Sequence, residues 1–178
     1  MTRVGRWLAV LTIPALLIVA APLPYSATAA DATLCDPNPK AANLNFILKD
    51  AAGRDFNLAS QKGRVIVLDF WATWCPPCKV EIPWFVEFQS KYGPKGLAIV
   101  GVSVDDSIAK LKPFLDQYKI NYPVLIGDGR DDIKAPSAYG VGWGLPKTFV
   151  IGRDGKICKA HLGMSVKEKF ELEIKALL

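Results

Sequence analysis

Histidine is nearly absent from this sequence, which has a single one, His161, among 178 residues. Cysteine is also scarce, with four residues, of which only Cys75 and Cys78 lie close together. A structural zinc site needs about four ligands. Besides that pair, the sequence offers only Cys35, Cys158 and His161, and the two cysteines are isolated in the chain. This shortage argues against a zinc site. If the protein were a Cys-His hydrolase, His161 would be its only candidate base. Because His161 lies in a strand pattern, we expect it to be a packed or surface side chain.

Dense runs of one charge sign are missing as well. The formal net charge is +5, but the Lys and Arg residues are scattered, without a basic cluster or interleaved aromatic residues. This distribution argues against nucleic-acid binding. We find no internal repeat, and 51% hydrophobic with 22% charged residues fits one ordinary globular domain.

The first 30 residues read as an export signal rather than as part of the fold. Arg3 and Arg6 precede an apolar stretch over residues 7–21, and small residues follow it. This order is typical of a secretory signal that is cleaved at its end. The alternative is a retained anchor over residues 7–23, whose length is at the low end for a spanning helix. In both cases the following domain is exported.

Residues 31–42 are predicted to be a linker or N-terminal segment, and residues 43–178 one domain. The predicted strands are residues 45–48, 56–58, 65–70, 97–104, 122–126, 147–151 and 156–162. Helices are predicted over residues 76–92, 107–119 and 165–178. Pro83 should kink the first of them, and Asp105 or Asp106 should cap the second. A Gly/Asp-rich loop is expected over residues 127–137. Strands that alternate with helices, followed by a hairpin and a helix, predict a three-layer α/β domain.

The most informative pattern is the pair Cys75 and Cys78, which follows a buried-strand pattern and opens a predicted helix. Free N–H groups and the dipole at a helix N-terminus favour a thiolate at Cys75. Cys78 is close enough to close a disulfide with it. An inert bridge across so small a loop would add little stability. The spacing therefore indicates a redox pair.

Pro76 and Pro77 stand between the two cysteines. Neither proline has a backbone N–H, so two potential hydrogen-bond donors to the Cys75 thiolate are missing. Stabilising the reduced form is what makes such a couple oxidising. We therefore predict that this couple is a reductant.

Two acidic residues lie near the pair. Asp69 interrupts an apolar strand, and a buried, poorly partnered carboxylate there would exchange protons near neutral pH. We expect Asp69 to exchange a proton with Cys78; the alternative is a solvated or hydrogen-bonded Asp at a strand end.

Glu81 follows Cys78 by three residues on the same helix face. It either influences the couple or merely complements the helix dipole.

The remaining two cysteines, Cys35 and Cys158, are predicted to form a structural disulfide, since exported thiols rarely stay reduced. The alternatives are two unpaired thiols or pairing between chains. Trp71, Trp74 and Trp143 are candidates for an apolar rim beside the sulfurs, with core packing the default for Trp71.

Two motifs resemble the thioredoxins. Residues 69–79, DFWATWCPPCK, resemble their active-site stretch, and residues 144–151, GLPKTFVI, resemble the segment with their cis-proline. With the export signal and the run Glu81-Ile82-Pro83, the chain looks most like the TlpA/ResA/CcmG branch, TlpA in particular. The resemblance implies a thioredoxin fold, α/β/α with a mixed central sheet and an N-terminal β-hairpin extension.

By this resemblance Cys75 attacks a partner disulfide and Cys78 resolves the mixed disulfide. Glu81 matches a glutamate of the cytochrome-maturation members. At the position of Asp69, thioredoxins also have aspartate, whereas many members of the branch have asparagine. The implied substrate-binding residues are Trp74, Pro76, Trp143, Leu145 and Pro146, with Pro146 cis. Implied partners are exported disulfide proteins, such as apocytochrome c or copper-site assembly proteins. Because nothing resembles a nicotinamide or flavin site, we expect no cofactor, and electrons would come from a membrane thiol transporter.

A different class of function is a Cu(I)-handling protein that holds copper between the Cys75 and Cys78 thiolates. Copper carriers that resemble this fold space their cysteines by three residues and add a histidine ligand. The spacing of two argues against that alternative. A peroxide-reducing role is disfavoured because a Thr-x-x-Cys pattern is absent at Cys75.

Overall fold

The computed structural model describes residues 35–104, 107–127, 139–140 and 144–178. The predictions for the export signal, for Asp105 and Asp106, for Trp143 and for nearly all of the 127–137 loop lie outside these residues. The strands are β1 Ile47–Lys49, β2 Asp55–Asn57, β3 Val65–Trp71, β4 Leu97–Ser103, β5 Val124–Ile126, β6 Lys147–Ile151 and β7 Ile157–Leu162. The α-helices are α1 Pro76–Tyr92, α2 Ile108–Tyr118 and α3 Lys167–Leu177.

Five strands form one mixed sheet in the order β5-β4-β3-β6-β7. The β3–β4 and β4–β5 pairs are parallel, whereas β3–β6 and β6–β7 are antiparallel. Strands β1 and β2 form a separate antiparallel hairpin, which reaches the sheet through a bridge between Asp50 and Leu125. The predicted mixed sheet and N-terminal hairpin are confirmed.

Strand β3 is buried at every position, as its continuous apolar run predicts for a central strand. Side chains alternate between the two faces of a strand, so Val67, Asp69 and Trp71 share one face. That face packs against buried residues of all three helices, including Phe85, Phe114 and Phe170. The other face packs against residues of the N-terminal hairpin region and Tyr139: Leu44, Leu48, Leu58 and Tyr139.

Helix α1 begins directly after Cys75, which occupies the N-cap position. Pro76 and Pro77 fit the first turn because the N–H groups there have no intrahelical acceptor. Pro83 lies inside the helix on its exposed side, where water can satisfy the carbonyl that loses its partner. Sequence and structure agree on both ends of this helix.

Helix α3 begins at Lys167, two residues later than the sequence predicted. The backbone N–H of Ser165 donates a 2.8 Å hydrogen bond to Oε1 of Glu81. This contact ties the chain before the helix to α1. The backbone is still extended at Val166, and helical geometry begins after it.

The N-terminal segment runs along the outer edge of β7. Asp36 donates a backbone hydrogen bond to Cys158, and Ile157 donates one to Lys40. A disulfide joins Cys35 to Cys158, 123 residues apart. The segment thus covers the first half of an otherwise free sheet edge. Within the described parts of the chain, no helix is long and apolar enough to span a membrane.

Candidate redox site

Cys75 and Cys78 form a disulfide at the N-terminus of α1, with their Cα atoms 5.4 Å apart. Cys75 is only 3% exposed and Cys78 is buried. The backbone N–H of Cys78 donates a hydrogen bond to Sγ of Cys75 over 3.3 Å. The position at the helix N-terminus is the one the sequence predicted, and one N–H is already directed at the Cys75 sulfur.

Asp69 lies in the middle of a polar row that crosses the sheet. Register pairs it with Gly101 on β4 and with Thr148 on β6, and Thr148 pairs in turn with His161 on β7. Residues directly opposite each other point to the same face, here the face covered by α1 and α3. The polar row therefore lies beneath the helix that carries the disulfide.

The carboxyl group of Asp69 is buried, and Thr148 Oγ1 donates a 2.9 Å hydrogen bond to it. Burial raises the pKa of Asp69 to about 8, and the nearby Glu81 carboxyl adds to the rise, while the Thr148 hydrogen bond opposes it. A carboxyl with such a pKa holds or releases a proton near neutral pH. This matches the environment required for the predicted proton transfer.

Glu81 is fully buried in α1. Its Oε1 atom accepts the Ser165 hydrogen bond, whereas Oε2 has no partner among the described residues. Burial raises the pKa of Glu81 to about 7, against the Ser165 hydrogen bond and the charge of His161. Glu81 is therefore a second buried carboxyl with a pKa near neutral pH, close enough to Asp69 to raise its pKa. Its influence on the couple stays a prediction.

His161 packs inside the domain, edge-on against the ring of Phe170. Its Nε2 atom lies 2.8 Å from Oε2 of the buried Glu173 on α3. Of the two expected placements, packed or on the surface, the structure shows the packed one. The partner is a carboxyl group that nothing in the sequence singled out. The pair joins β7 to α3 below the redox site.

The Leu145–Pro146 peptide bond is cis and immediately precedes β6. Pairing of Phe70 with Lys147 places Pro146 at the end of β3 that leads to Cys75. The carbonyl of Pro146 accepts a 2.8 Å hydrogen bond from the N–H of Gly163. Cys75 and the cis-proline therefore follow and precede paired strand ends on the same side of the sheet.

Several neighbours of the site escaped the sequence analysis: Thr148, Ser165, Glu173 and Tyr122. Thr148 lies in the quoted cis-proline segment, and its spacing from Pro146 is the only signal that pointed to it. The others approach through tertiary contacts between elements distant in the sequence. The described residues contain no group of three or more His, Cys, Asp or Glu that could hold a metal ion.

Comparison with known families decides the relationship. The AhpC/TSA family profile matches residues 39–160, which include the disulfide, the buried carboxyls and the cis-proline. The chain belongs to the AhpC/TSA family.

The curated relatives point to one group of AhpC/TSA proteins. The chain is 37% identical over 133 residues to the thiol-disulfide oxidoreductase ResA of Bacillus anthracis, which covers 75% of each protein. Two solved structures from Chlorobium tepidum are similar. A thiol:disulfide interchange protein of the thioredoxin family has TM-score 0.70 and 31% identity over 80% of this chain and 98% of its own. A DsbE protein has TM-score 0.68 and 32% identity over 79% of this chain and 100% of its own.

These relationships confirm the fold and the enzyme class predicted from the sequence. The protein is a thioredoxin-like thiol–disulfide oxidoreductase with a thioredoxin fold. Within the described residues, Cys75 and Cys78 form the disulfide at the start of α1.

Proposed function

We propose that this protein is an exported reductase of disulfides in partner proteins. Cys75 is the attacking cysteine, Cys78 the resolving one, and Asp69 the group that takes up the Cys78 proton. The observation that carries this proposal is the Cys75–Cys78 disulfide at the start of α1, next to the cis-proline and above a buried carboxyl.

The reaction begins from the reduced dithiol. The Cys75 thiolate attacks one sulfur of the partner disulfide, which forms a mixed disulfide and releases a partner thiolate that takes a proton from water. Asp69 then accepts the Cys78 proton, and the Cys78 thiolate attacks Sγ of Cys75. The Cys75–Cys78 disulfide forms, and the second partner thiolate leaves and takes a proton from water. Two electrons pass to the partner, whose two sulfurs become thiols.

The direction of electron flow follows from the hydrogen bonds available to Cys75. Sγ accepts the Cys78 N–H, while Pro76 and Pro77 have no N–H to donate. Fewer donors stabilise the thiolate less, so the reduced form gives up its electrons more readily. This supports a reductase rather than a disulfide donor.

The surface around the couple suits docking of another protein. Trp74, beside Cys75, is 66% exposed, and Leu162, at the end of β7, is 71% exposed. Leu162 pairs with Lys147, the residue after Pro146, and Met164 follows it as a further exposed apolar side chain. We define Trp74, Leu162 and Met164 as the docking rim. Exposed apolar side chains next to a reactive group mark a protein contact site.

Partners of the proposed reductase are exported proteins with Cys-x-x-Cys disulfides, such as apocytochrome c or copper-site assembly proteins. A membrane thiol transporter supplies the electrons. Export follows from the charged, apolar and small-residue order of residues 1–30. Mass analysis of the protein isolated from an expressing bacterium tests this: a chain that starts near residue 30 supports a cleaved signal, and an intact chain in the membrane fraction supports an anchor.

Capture of a substrate tests the proposed chemistry. An oxidised peptide with a Cys-x-x-Cys-His disulfide is mixed with the reduced protein and with the Cys78→Ser and Cys75→Ser variants. We expect the natural protein to reduce the peptide and Cys78→Ser to accumulate a one-to-one mixed disulfide. Cys75→Ser, the matched control, should do neither.

Adduct formation by Cys75→Ser but not by Cys78→Ser would reverse the assigned roles. Failure of the natural protein to reduce the peptide would reject a reductase of this substrate class. Intact mass measured after acid quenching detects adducts of all three proteins directly, since each adduct adds the mass of one peptide.

A further inference from the structure

Three buried titratable side chains, from three different elements, lie together behind the redox site: Glu81 on α1, His161 on β7 and Glu173 on α3. Nε2 of His161 lies 2.8 Å from Oε2 of Glu173. Glu81 is tied to the chain between β7 and α3, because its Oε1 atom accepts the 2.8 Å hydrogen bond from the Ser165 N–H. The catalytic steps proposed above use none of these three side chains.

The ring of Phe170 on α3 packs against both the strand that carries His161 and the helix that carries Glu81. Its centroid lies 4.7 Å from that of the His161 imidazole and 5.3 Å from that of Phe85. Phe85 follows Glu81 by about one helical turn, so the two side chains share one face of α1. His161 therefore belongs to the packed layer beneath Glu81, where little water is present to screen a charge.

Titratable groups surround Glu81 on several elements: Asp69 on β3, His161 on β7 and Glu173 on α3. On α1 itself, Cys78 is held in the disulfide. Oε2 of Glu81 has no hydrogen-bond partner among the described residues, so its ionisation depends strongly on nearby charge. The charge of His161 lowers the pKa of Glu81 against the effect of burial.

Glu81 in turn acts on Asp69. The pKa of Glu81 is about 7 and that of Asp69 about 8, and the Glu81 charge contributes to the higher pKa. Around Asp69, Thr148 donates a hydrogen bond, and Tyr122 keeps its proton because burial and the charge of Asp69 raise its pKa. A carboxylate accepts a thiol proton more readily as its pKa approaches that of the thiol, ordinarily about 8.5. An ionised Glu81 therefore strengthens Asp69 as a base.

We propose that His161 is an imidazolium in an ion pair with Glu173 and that its charge keeps Glu81 ionised. The ionised Glu81 in turn makes Asp69 the stronger proton acceptor for Cys78. His161 and Glu173 are positioning residues, because they act on the proton transfer through Glu81. The inference rests on the proposed function, in which Asp69 accepts the proton of Cys78.

Titration of the two carboxyls tests the inference. The carboxyl carbons of the oxidised, isotopically labelled full chain are followed by NMR against pH and assigned with Glu81→Gln and Asp69→Asn. The oxidised protein is used because disulfide-bonded cysteines do not titrate. His161→Gln removes the imidazole charge and keeps an N–H donor for Glu173. It should raise the pKa of Glu81 by about 1 unit, the lower end of the usual effect of a nearby opposite charge, and lower that of Asp69.

These opposite shifts distinguish positioning from loosened packing. Burial raises the pKa of both carboxyls, so a variant that merely loosened the site would lower both values. Lys167→Gln is the matched control, because it also removes one positive charge between α3 and α1. Lys167 pairs with Glu87 at the surface, where water screens the charge, so both titrations should stay unchanged.

An unchanged pKa at either carboxyl in His161→Gln overturns the inference, and so does a fall at both. The natural protein provides a second measurement that needs no substitution. Because the sequence has a single histidine, its ring nitrogen shifts are assigned without ambiguity. We expect both ring nitrogens to be protonated at pH 7, and a neutral ring there would also overturn the inference.

Release of the mixed disulfide at Cys75 is the kinetic readout. In His161→Gln its pH profile should move to lower pH by the same amount as the Asp69 titration. The peptide assay separates the two claims. If the natural protein reduces the peptide but His161→Gln shifts neither carboxyl, only the positioning role fails. If His161→Gln gives the opposite shifts in a protein that reduces no peptide, only the proposed function fails.

Discussion

The hydroxyl of Thr148 on β6 donates a 2.9 Å hydrogen bond to the carboxyl of Asp69 on β3. The bond crosses between two strands that are buried on both faces, beneath the helix that starts at Cys75. It is too weak to offset burial, since the pKa of Asp69 remains raised to about 8. The fold therefore maintains an acid whose ionised form is unfavourable where the chemistry requires a proton acceptor.

Asp69→Asn should stabilise the protein more at alkaline than at acidic pH. The pKa of Asp69 is raised in the folded state, so between about pH 4 and about pH 8 the folded chain binds more protons than the unfolded chain. The free energy of unfolding of the natural protein accordingly falls as pH rises through this window, and asparagine removes that loss. We expect a difference on the order of 5 kcal/mol between the two ends, measured by urea unfolding of the oxidised proteins.

The control for that experiment is Asp116→Asn, which changes an exposed aspartate on α2. It should follow the pH dependence of the natural protein. If Asp69→Asn also kept that dependence, the raised pKa of Asp69 and its role as a neutral-pH proton acceptor would both be rejected.

Trp74→Ala should weaken partner docking without changing the redox couple. Trp74 exposes an indole next to Cys75 but is not part of the core. Loss of such an anchor raises KM for a protein disulfide by about five- to tenfold. Ile47→Ala, at a similarly exposed position of β1 (63% against 66%), is the matched control. Equal KM values for the two variants would remove Trp74 from the docking rim.

The double variant Cys35→Ser/Cys158→Ser should be less stable but still active. The disulfide closes a loop of 123 residues, for which the chain-entropy model gives about 5 kcal/mol at most. Denaturant unfolding under oxidising conditions measures the loss, and peptide reduction measures activity. An unchanged midpoint would show that the bridge does not constrain the unfolded chain, and lost activity would implicate it in the redox chemistry.

The buried pair of His161 and Glu173 should be strongly coupled. His161→Leu leaves the buried Glu173 carboxyl without its hydrogen-bond partner, which costs about 1–3 kcal/mol of stability. The double variant His161→Leu/Glu173→Leu removes both polar groups and should recover most of that loss. Additive losses in this double-mutant cycle would mean that the 2.8 Å contact contributes no coupling.

Much of the fold was accessible from the sequence because its signals are local. The apolar run before Cys75, the proline-rich start of α1 and the Asp154-Gly155 hairpin turn each determine their own element. The contact between Ser165 and Glu81 was not accessible, because the two residues lie 84 residues apart in the chain.

The same distinction applies to the site. Cys75, Cys78 and Pro146 belong to short motifs, and the sequence placed all three correctly relative to the strands and helix. The groups that tune Asp69 depend on strand register, which pairs residues far apart in the chain. Glu173 carries no sequence signal, since a glutamate in a polar helix is unremarkable until that helix packs beside β7.

The reduction potential of the Cys75–Cys78 couple tests the proposed direction of electron flow most directly. The protein is equilibrated in graded thiol buffers, and the oxidised fraction is read by thiol alkylation. The missing N–H donors of Pro76 and Pro77 predict a potential of roughly −200 to −270 mV, typical of reducing thioredoxin-like proteins. A potential near about −120 mV would make the protein a disulfide donor and would contradict the account.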